Sequence, residues 1–225
     1  MKIEKVGTRS VVFTQWIAEW NCSLNIHLIL GDNRNYLIDT GLGSGDMAYI
    51  KEYLGDDTKP LIVINTHYDW DHIWGNHCFD DELIIAHHKC RQLIRDRWDM
   101  MLDDNRHFIK GKVELKLPNL VFDDELYFPD DKIKLFYTPG HTIDGISVFD
   151  EIDGVLNAGD NIGDTLDEIV PHICADGHEL YRKSLQLYEQ LDVKFCISGH
   201  NITLGEDVFA MIEEELDKKY HIANA

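Results

Sequence analysis

The chain has little with which to build a disulfide framework or a redox couple. Its five cysteines, Cys22, Cys78, Cys90, Cys174 and Cys196, are odd in number, widely scattered and form no C-x-x-C pair, so they read as small buried hydrophobes of a reducing compartment. Long apolar runs are also missing. No stretch approaches the roughly 18 residues that span a bilayer, and the opening MKIEKVGTRSVVFTQW lacks the basic-then-apolar pattern of a signal segment. The expected location is the cytoplasm, with no membrane partner. Positive charge is scarce: 21 Lys and Arg stand against 41 Asp and Glu, a formal net charge of -20. That field repels polyanions and argues against nucleic acid and anionic membrane surfaces, although an internal anion site is compatible with it where bound metal supplies positive charge. There is no repeat of fixed period and no low-complexity linker. Residues 1–225 are therefore expected to form one domain, for which 44% hydrophobic residues supply the core.

Short β-rich runs dominate the first 40 residues. NIHLIL and NYLID flank the turn-former GDNR and predict a hairpin; a helix is expected over Met47 to Leu54, and Pro60 admits LIVIN, a strand apolar on both faces. LIIA is the next strand. Apolar residues at Cys90, Leu93, Ile94, Trp98, Met101 and Leu102 have helical spacing and read as a packed face. Residues 103–129 are irregular and charged and are expected to form a loop leaning over a site. KIKLFY is a strand ending in TPGH; ISVFD and GVLNAG pair across Asp153-Gly154; a helix from about His178 to Leu191 precedes the strand KFCIS. A last helix carries Val208, Phe209, Ile212, Leu216 and Tyr220 on one face. An amphipathic face serves a core or a dimer equally, so no oligomeric state follows.

The chemistry is concentrated at strand ends. THYDWDH, residues 66–72, follows LIVIN, and three other strand ends deliver His141, Asp160 and His200. Polar groups in such positions face a crevice in layered α/β proteins, and a divalent ion satisfies several of them at once. In an extended segment His67 and Asp69 point to one side; once the chain turns, Asp71 and His72 can face a second ion. His67, Asp69, Asp71, His72, His141, Asp160 and His200 are therefore read as metal ligands. The isolated His27, His107, His178 and His221 read as structural or surface residues.

With these residues in hand, the chain resembles the metallo-β-lactamase superfamily. The strands NCSLNIHLIL and YLIDTG, then THYDWDH, TPGHT, NAGD and SGH, occur in that superfamily's order over nearly the whole length. The resemblance implies an α/β (α+β) fold, a four-layer αββα sandwich of two mixed sheets flanked by helices, with the site in a groove at one edge. It assigns His67, Asp69 and His141 to a first metal, Asp71, His72 and His200 to a second, and Asp160 to a bridge between them. Asp39 in LIDTG matches an acidic residue supporting the site from behind, and as a turn residue of DTGLG it has an equally good structural reading. Asp69 departs from the pattern H-x-H-x-D-H, in which most members carry histidine. With Asp69, Asp71, Asp160 and a bridging hydroxide, two divalent ions form a neutral core, a weaker Lewis acid whose harder oxygen ligand shifts preference from zinc toward iron or manganese.

The expected function is metal-dependent hydrolysis. A hydroxide generated at two divalent ions attacks an ester, thioester, lactone, amide or phosphoester of a small molecule, with Asp71 orienting it or moving its proton. A second reading is a di-iron oxidoreductase acting on dioxygen, nitric oxide or a sulfur compound, since the flavodiiron proteins also carry an acidic residue at the position of Asp69. They use glutamate there and add a flavodoxin-like module for which this chain has no room. A third is a metal-binding member without catalysis. The nuclease branches are disfavoured by the negative charge, and a secreted β-lactamase by the missing signal segment. Trp70 and Trp74 flank the motif as groove walls or core residues, and His87, His88 and His172 are further candidates for the pocket, each with a structural alternative.

Overall fold

A computed structural model describes residues 1–175 and 177–222, the side chains of 219–222 excepted; Tyr220 and His221 therefore have side chains outside the described residues. The first sheet runs β1 (Lys2–Val6), β2 (Ser10–Ile17), β3 (Cys22–Leu30), β4 (Asn35–Ile38), β5 (Leu61–Ile64), β6 (Leu83–His87) and β7 (Leu120–Phe122), side by side in chain order. Its first four strands are antiparallel meanders and its last four are parallel. The parallel steps are made by helices: α1 (Ser44–Leu54), a single turn α2 (Trp70–Ile73), and α3 (His88–Asn105). The second sheet contains β8 (Glu125–Phe128), β9 (Ile133–Tyr137), β10 (Ile146–Asp150), β11 (Val155–Asn157), β12 (Phe195–Ile197) and β13 (Leu204–Gly205), again in chain order, with α4 (His178–Tyr188) between β11 and β12 and α5 (Val208–Ile222) at the end.

Strand alternation explains the layers. In β3, Leu24, Ile26 and Leu28 share one face while Asn25, His27 and Ile29 take the other. Ile26 and Leu28 pack with Leu37, Val63 and the α1 residues Met47 and Ile50, whereas Ile29, Tyr36, Ile38, Ile62, Ile64 and Ile85 meet Ile133, Leu135, Ile146 and Val148 of the second sheet. The far face of that sheet, through Phe136, Phe149, Leu156 and Cys196, is covered by Tyr181, Leu185 and Tyr188 of α4 and by Val208, Phe209, Ile212 and Leu216 of α5. Two mixed sheets face to face with helices outside is the expected αββα arrangement. Each fully buried Leu or Ile in these layers contributes about 1.5–3 kcal/mol of transfer free energy.

The expected elements recur with shifted bounds, α1 and α3 longer and α4, β5, β11 and β12 shorter than expected, and one expectation changes. Residues 103–129 are not a loop throughout. They contain a short 3-10 turn, Arg106–Phe108, and the strands β7 and β8, through which the chain crosses from the edge of one sheet to the edge of the other. These strands are half-exposed edge strands of three and four residues, too short for an alternating pattern to stand out. No described helix is long and apolar enough to cross a membrane.

Candidate metal centre

Four pieces of backbone carry the seven expected residues to one edge of the sandwich. After β5 the chain stays extended through His67 to Asp69, whose ψ is 142°, and then turns into α2 with Asp71 and His72. His141 lies in the turn between β9 and β10, Asp160 in the 3-10 turn Gly159–Asn161 after β11, and His200 beyond β12. Gly199 has to be glycine, because a Cβ there would collide with Asp160 Oδ1 and the His72 ring. Across the sheets, the Asn25 amide of β3 donates to the Gly199 carbonyl at 2.7 Å, and its side chain donates to the carbonyls of Ser198 and Asn201. The loop that presents His200 is thereby fastened to the first sheet.

Every imidazole of the cluster is oriented through Nδ1. His72 Nδ1 lies 2.8 Å from Asp39 Oδ2, His200 Nδ1 2.8 Å from the Ser23 carbonyl, and His141 Nδ1 2.9 Å from the His172 carbonyl. His67 Nδ1 lies 3.0 Å from Thr66 Oγ1, which donates to Asp39 Oδ2 at 2.7 Å. These partners are acceptors, so each ring carries its proton on Nδ1 and turns the Nε2 lone pair inward. Asp39 thus fixes His72 directly and His67 through Thr66, whose amide it also accepts at 2.8 Å. It does so at φ 63°, a left-handed conformation rare outside glycine that costs of order 1–3 kcal/mol. Asp39 is both the turn residue and the support.

Inward, Asp69 Oδ2 stands 3.4 Å from His67 Nε2 and 3.3 Å from His141 Nε2, while Asp71 Oδ2 stands 3.3 Å from His200 Nε2 and 3.6 Å from His72 Nε2. Asp160 Oδ2 lies between the two sets, 3.2 Å from His200 Nε2, 3.3 Å from His72, 3.6 Å from His67 and 3.9 Å from His141. Donor atoms held about 2.0–2.2 Å from a tetrahedral ion are about 3.3–3.5 Å apart, which is the spacing found here. His67 Nε2, His72 Nε2 and Asp160 Oδ1 are buried and have no hydrogen-bond partner. Inward lone pairs facing carboxylate oxygens repel unless a cation or proton lies among them, so the donor set fits divalent metal. Both imidazole and carboxylate suit zinc, iron and manganese.

Protons are what a bound metal would displace. Burial opposes charge on all these groups, yet Asp160, Asp71 and Asp39 together raise His72 well above its ordinary value. His141, opposed by burial, is raised to about 9 by Asp69 and Asp160, and His200 is raised by Asp160 and Asp71. Reciprocally, Asp160 is held well below its usual range by His72, His200 and His67 despite burial, and Asp69 is held low by His141 and His67.

Residues outside the cluster divide into walls and core. Trp70 is half-buried, stacks on Phe108 with centroids 5.2 Å apart and meets Trp20 edge-on at 5.3 Å; Trp20 in turn lies 6.0 Å from the His200 ring. This aromatic wall borders the Asp71–His72–His200 side. Trp74 is fully buried and belongs to the core beneath α3. His87 caps α3 and stacks on Tyr137, and it groups with His88 and Asp123 away from the centre. His172 contributes its carbonyl to His141. His27 is buried, with burial lowering it to about 3, and accepts from Asn157. The sequence gives no signal for Trp20, Phe108 or Asn161. Asn161 Oδ1 accepts the His141 amide at 3.0 Å while its Nδ2 donates to the Thr138 carbonyl at 2.6 Å, and an isolated asparagine beside Asp160 carries no spacing rule. Asp164 was equally silent, and its carboxyl interacts with His200 and His141 from the exposed side.

The comparisons with known proteins agree with this architecture. The acyl-coenzyme A thioesterase MBLAC2 of Bos taurus is 25% identical over 86% of this chain and 79% of its own length. Among solved structures, the DIM-1 metallo-beta-lactamase superposes with a TM-score of 0.74 at 19% identity over 95% of each chain. A metallo beta lactamase from Hirschia baltica gives 0.75 at 17% identity, over 95% of this chain and 96% of that one. The Lactamase_B family model matches residues 21–200, a span that contains every member of the cluster and its Asp39 support. Fold, motif order and family match thus converge, and the chain belongs to the metallo-beta-lactamase superfamily.

Proposed function

We propose that this protein is a dinuclear metal-dependent hydrolase of small molecules, with a thioester as the foremost substrate class and ester, lactone, amide and phosphoester as the others. The observation that carries the dinuclear reading is the position of Asp160 Oδ2, within 3.9 Å of all four Nε2 atoms. A carboxylate oxygen within reach of all four rings would be a ligand available to both ions. His67, Asp69 and His141 would hold the first, and Asp71, His72 and His200 the second. The similarity to acyl-coenzyme A thioesterases supports the thioester preference.

When bound, two divalent ions supply a water acidified to near neutral pH and positive charge to stabilise a developing oxyanion. The chain's own groups do the rest. Nδ1 contacts to Asp39, Thr66, His172 and Ser23 keep the four rings from rotating. Asp71, 7% exposed, places Oδ2 toward His200 and His72 and keeps Oδ1 for the attacking water, whose proton it accepts. Trp20, Trp70 and Phe108 exclude solvent on one flank. The net reaction adds water across the acyl carbon–sulfur bond: the carbon gains the oxygen, and the sulfur leaves as thiol with the proton.

Elemental analysis of purified protein, followed by turnover on a panel of the five bond classes, tests this reading. About two ions per chain and thioester turnover that falls more than about 100-fold in Asp160→Asn are expected. Full metal with no turnover on any bond removes the hydrolase reading. Asp69 sustains one competing reading, a di-iron oxidoreductase, because it makes the first set richer in hard oxygen donors. Aerobically purified protein rich in iron, coloured and consuming dioxygen or nitric oxide, is the result that favours it.

A further inference from the structure

Beside the first metal set lies a cavity of about 230 Å³ with Asp69 and His141 on one wall and Tyr68, Leu93, Arg97 and Ile143 among its other lining residues. Arg97 is its only arginine or lysine. The guanidinium sits 5.0 Å from the centre of the Tyr68 ring, and its Nη1 donates to the Tyr68 hydroxyl at 2.8 Å. That contact fixes the plane of the group, yet it uses one donor of five. Arg9, Arg34, Arg106 and Arg182 each have an acidic partner; among the described residues no carboxylate pairs with Arg91, Arg95 or Arg97 of α3, and of these three Arg97 alone lines the cavity. Arg97 is thus an oriented guanidinium with spare donors at the lip of the site, in a chain with 41 acidic residues and 21 basic ones. Leu93, one helical turn earlier on α3, and Ile143 give the cavity apolar sides that strengthen a charged hydrogen bond made between them.

We infer that this cavity receives the part of the substrate that bears a carboxylate or phosphate, and that Arg97 is the residue that selects for it. The inference rests on the hydrolase reading and specifies its substrate: an acyl compound with an anionic group on the Asp69–His141 side, leaving the aromatic wall of Trp20, Trp70 and Phe108 for an apolar portion. Guanidinium recognises both oxyanions through paired N–H donors. The anion can reside on the acyl half or on the thiol half, and the probes separate these cases.

Four acetyl or succinyl thioesters suffice: acetyl-N-acetylcysteamine, uncharged; succinyl-N-acetylcysteamine, with a carboxylate on the acyl half; acetyl-thioglycolate, with a carboxylate on the thiol half; and acetyl-phosphopantetheine, with a phosphate on the thiol half. For at least one anionic probe, the ratio of its kcat/KM to that of the uncharged probe is expected to fall about 10–100-fold in Arg97→Leu, the loss of one hydrogen bond to a charged group. Arg97→Lys is expected to recover part of it, and Arg95→Leu, which removes an exposed charge outside the cavity on the same helix, to leave the ratio unchanged. An unchanged ratio in Arg97→Leu, or an equal fall in Arg95→Leu, overturns the inference. Binding of the matching non-hydrolysable thioethers to wild-type and Arg97→Leu protein, read by calorimetry, tests the cavity without turnover. Should wild-type protein hydrolyse no probe yet bind the anionic thioethers more weakly after Arg97→Leu, the thioester reading fails while the anion site stands; no such binding difference removes the site.

Discussion

At the scale of the residue, the proposed ligand Asp69 would set how electrophilic a metal-loaded centre can be. Its Oδ2 is placed as a donor between His67 and His141, and each carboxylate added to a metal site lowers the positive charge felt by water and substrate. Replacing it by imidazole leaves the core one charge more positive. Asp69→His protein loaded with zinc is therefore expected to hydrolyse its substrate about 3–10-fold faster near pH 7, with the pH limb reporting the bound water moved downward. Loading with manganese or iron is expected to become weaker relative to zinc. If metal content and rate both stay as they are, Asp69 is no ligand. The sequence made all seven inward-facing residues visible because histidine and aspartate at strand ends have a narrow set of uses. It could not separate the two readings of Asp39, since its role depends on a left-handed φ and on reaching Thr66 and His72 at once, neither of which has a sequence signature.

Between elements, polar clamps hold the sandwich at positions away from the metal centre. Asp153, in the turn joining β10 to β11, accepts the Thr8 and Arg9 amides at 2.7 and 3.0 Å. It needs Gly7, where a Cβ would come within 2.6 Å of its carboxylate. Arg9 then crosses to the buried Asp150 through Nε at 2.8 Å. Asp131 works in the same way between the β8–β9 and β3–β4 turns, accepting the Asn33 amide at 2.8 Å, the Tyr36 hydroxyl at 2.8 Å and Arg34 Nη1 at 3.1 Å. Burial pushes its carboxyl up, and the hydrogen bonds from Asn33, Tyr36 and Arg34 outweigh burial to hold it below its ordinary value. A carboxyl depressed in the folded state stabilises fully above its unfolded value of about 3.9 and loses that contribution as pH falls through the folded value. Asp131→Asn is accordingly expected to cost about 1–3 kcal/mol at pH 7 in urea unfolding, with the gap from wild type closing below about pH 4. A gap that is constant with pH contradicts the ionic role. The Asp153-Gly154 turn was legible as a hairpin because the pair has its own backbone preference. Its second task was hidden because its partners Thr8 and Arg9 lie more than 100 residues away and leave no local pattern; β7 and β8 were hidden because strands of three and four residues are too short to show an alternation.

Across the whole molecule, the candidate metal ligands join the two sheets along one edge. His67, Asp69, Asp71 and His72 follow β5 of the first sheet, while His141, Asp160 and His200 follow strands of the second. Without cations, that edge brings three carboxylates together in a chain already at -20. Protons on the histidines are then the alternative source of positive charge, which is why His72 and His200 are raised and His141 rises to about 9. A ligand that binds only the folded chain adds RT ln(1 + [L]/Kd), about 4 kcal/mol at 1,000 times Kd for one site. At about 2–4 °C per kcal/mol for a domain of this size, one such site contributes about 8–16 °C, so removing the ions with a chelator is expected to lower Tm by at least that much. The sign of the pH dependence follows from the same competition. A raised imidazole is protonated below its raised value, and metal must expel that proton, so affinity falls as pH falls. The difference in Tm between metal-loaded and chelated protein is therefore expected to be largest near pH 8–9 and to narrow steadily toward pH 6. Calorimetric scans of both forms across that interval measure it directly. Coincident Tm values at every pH would mean that the two sheets do not share a cation, and that the seven residues meet for some other reason.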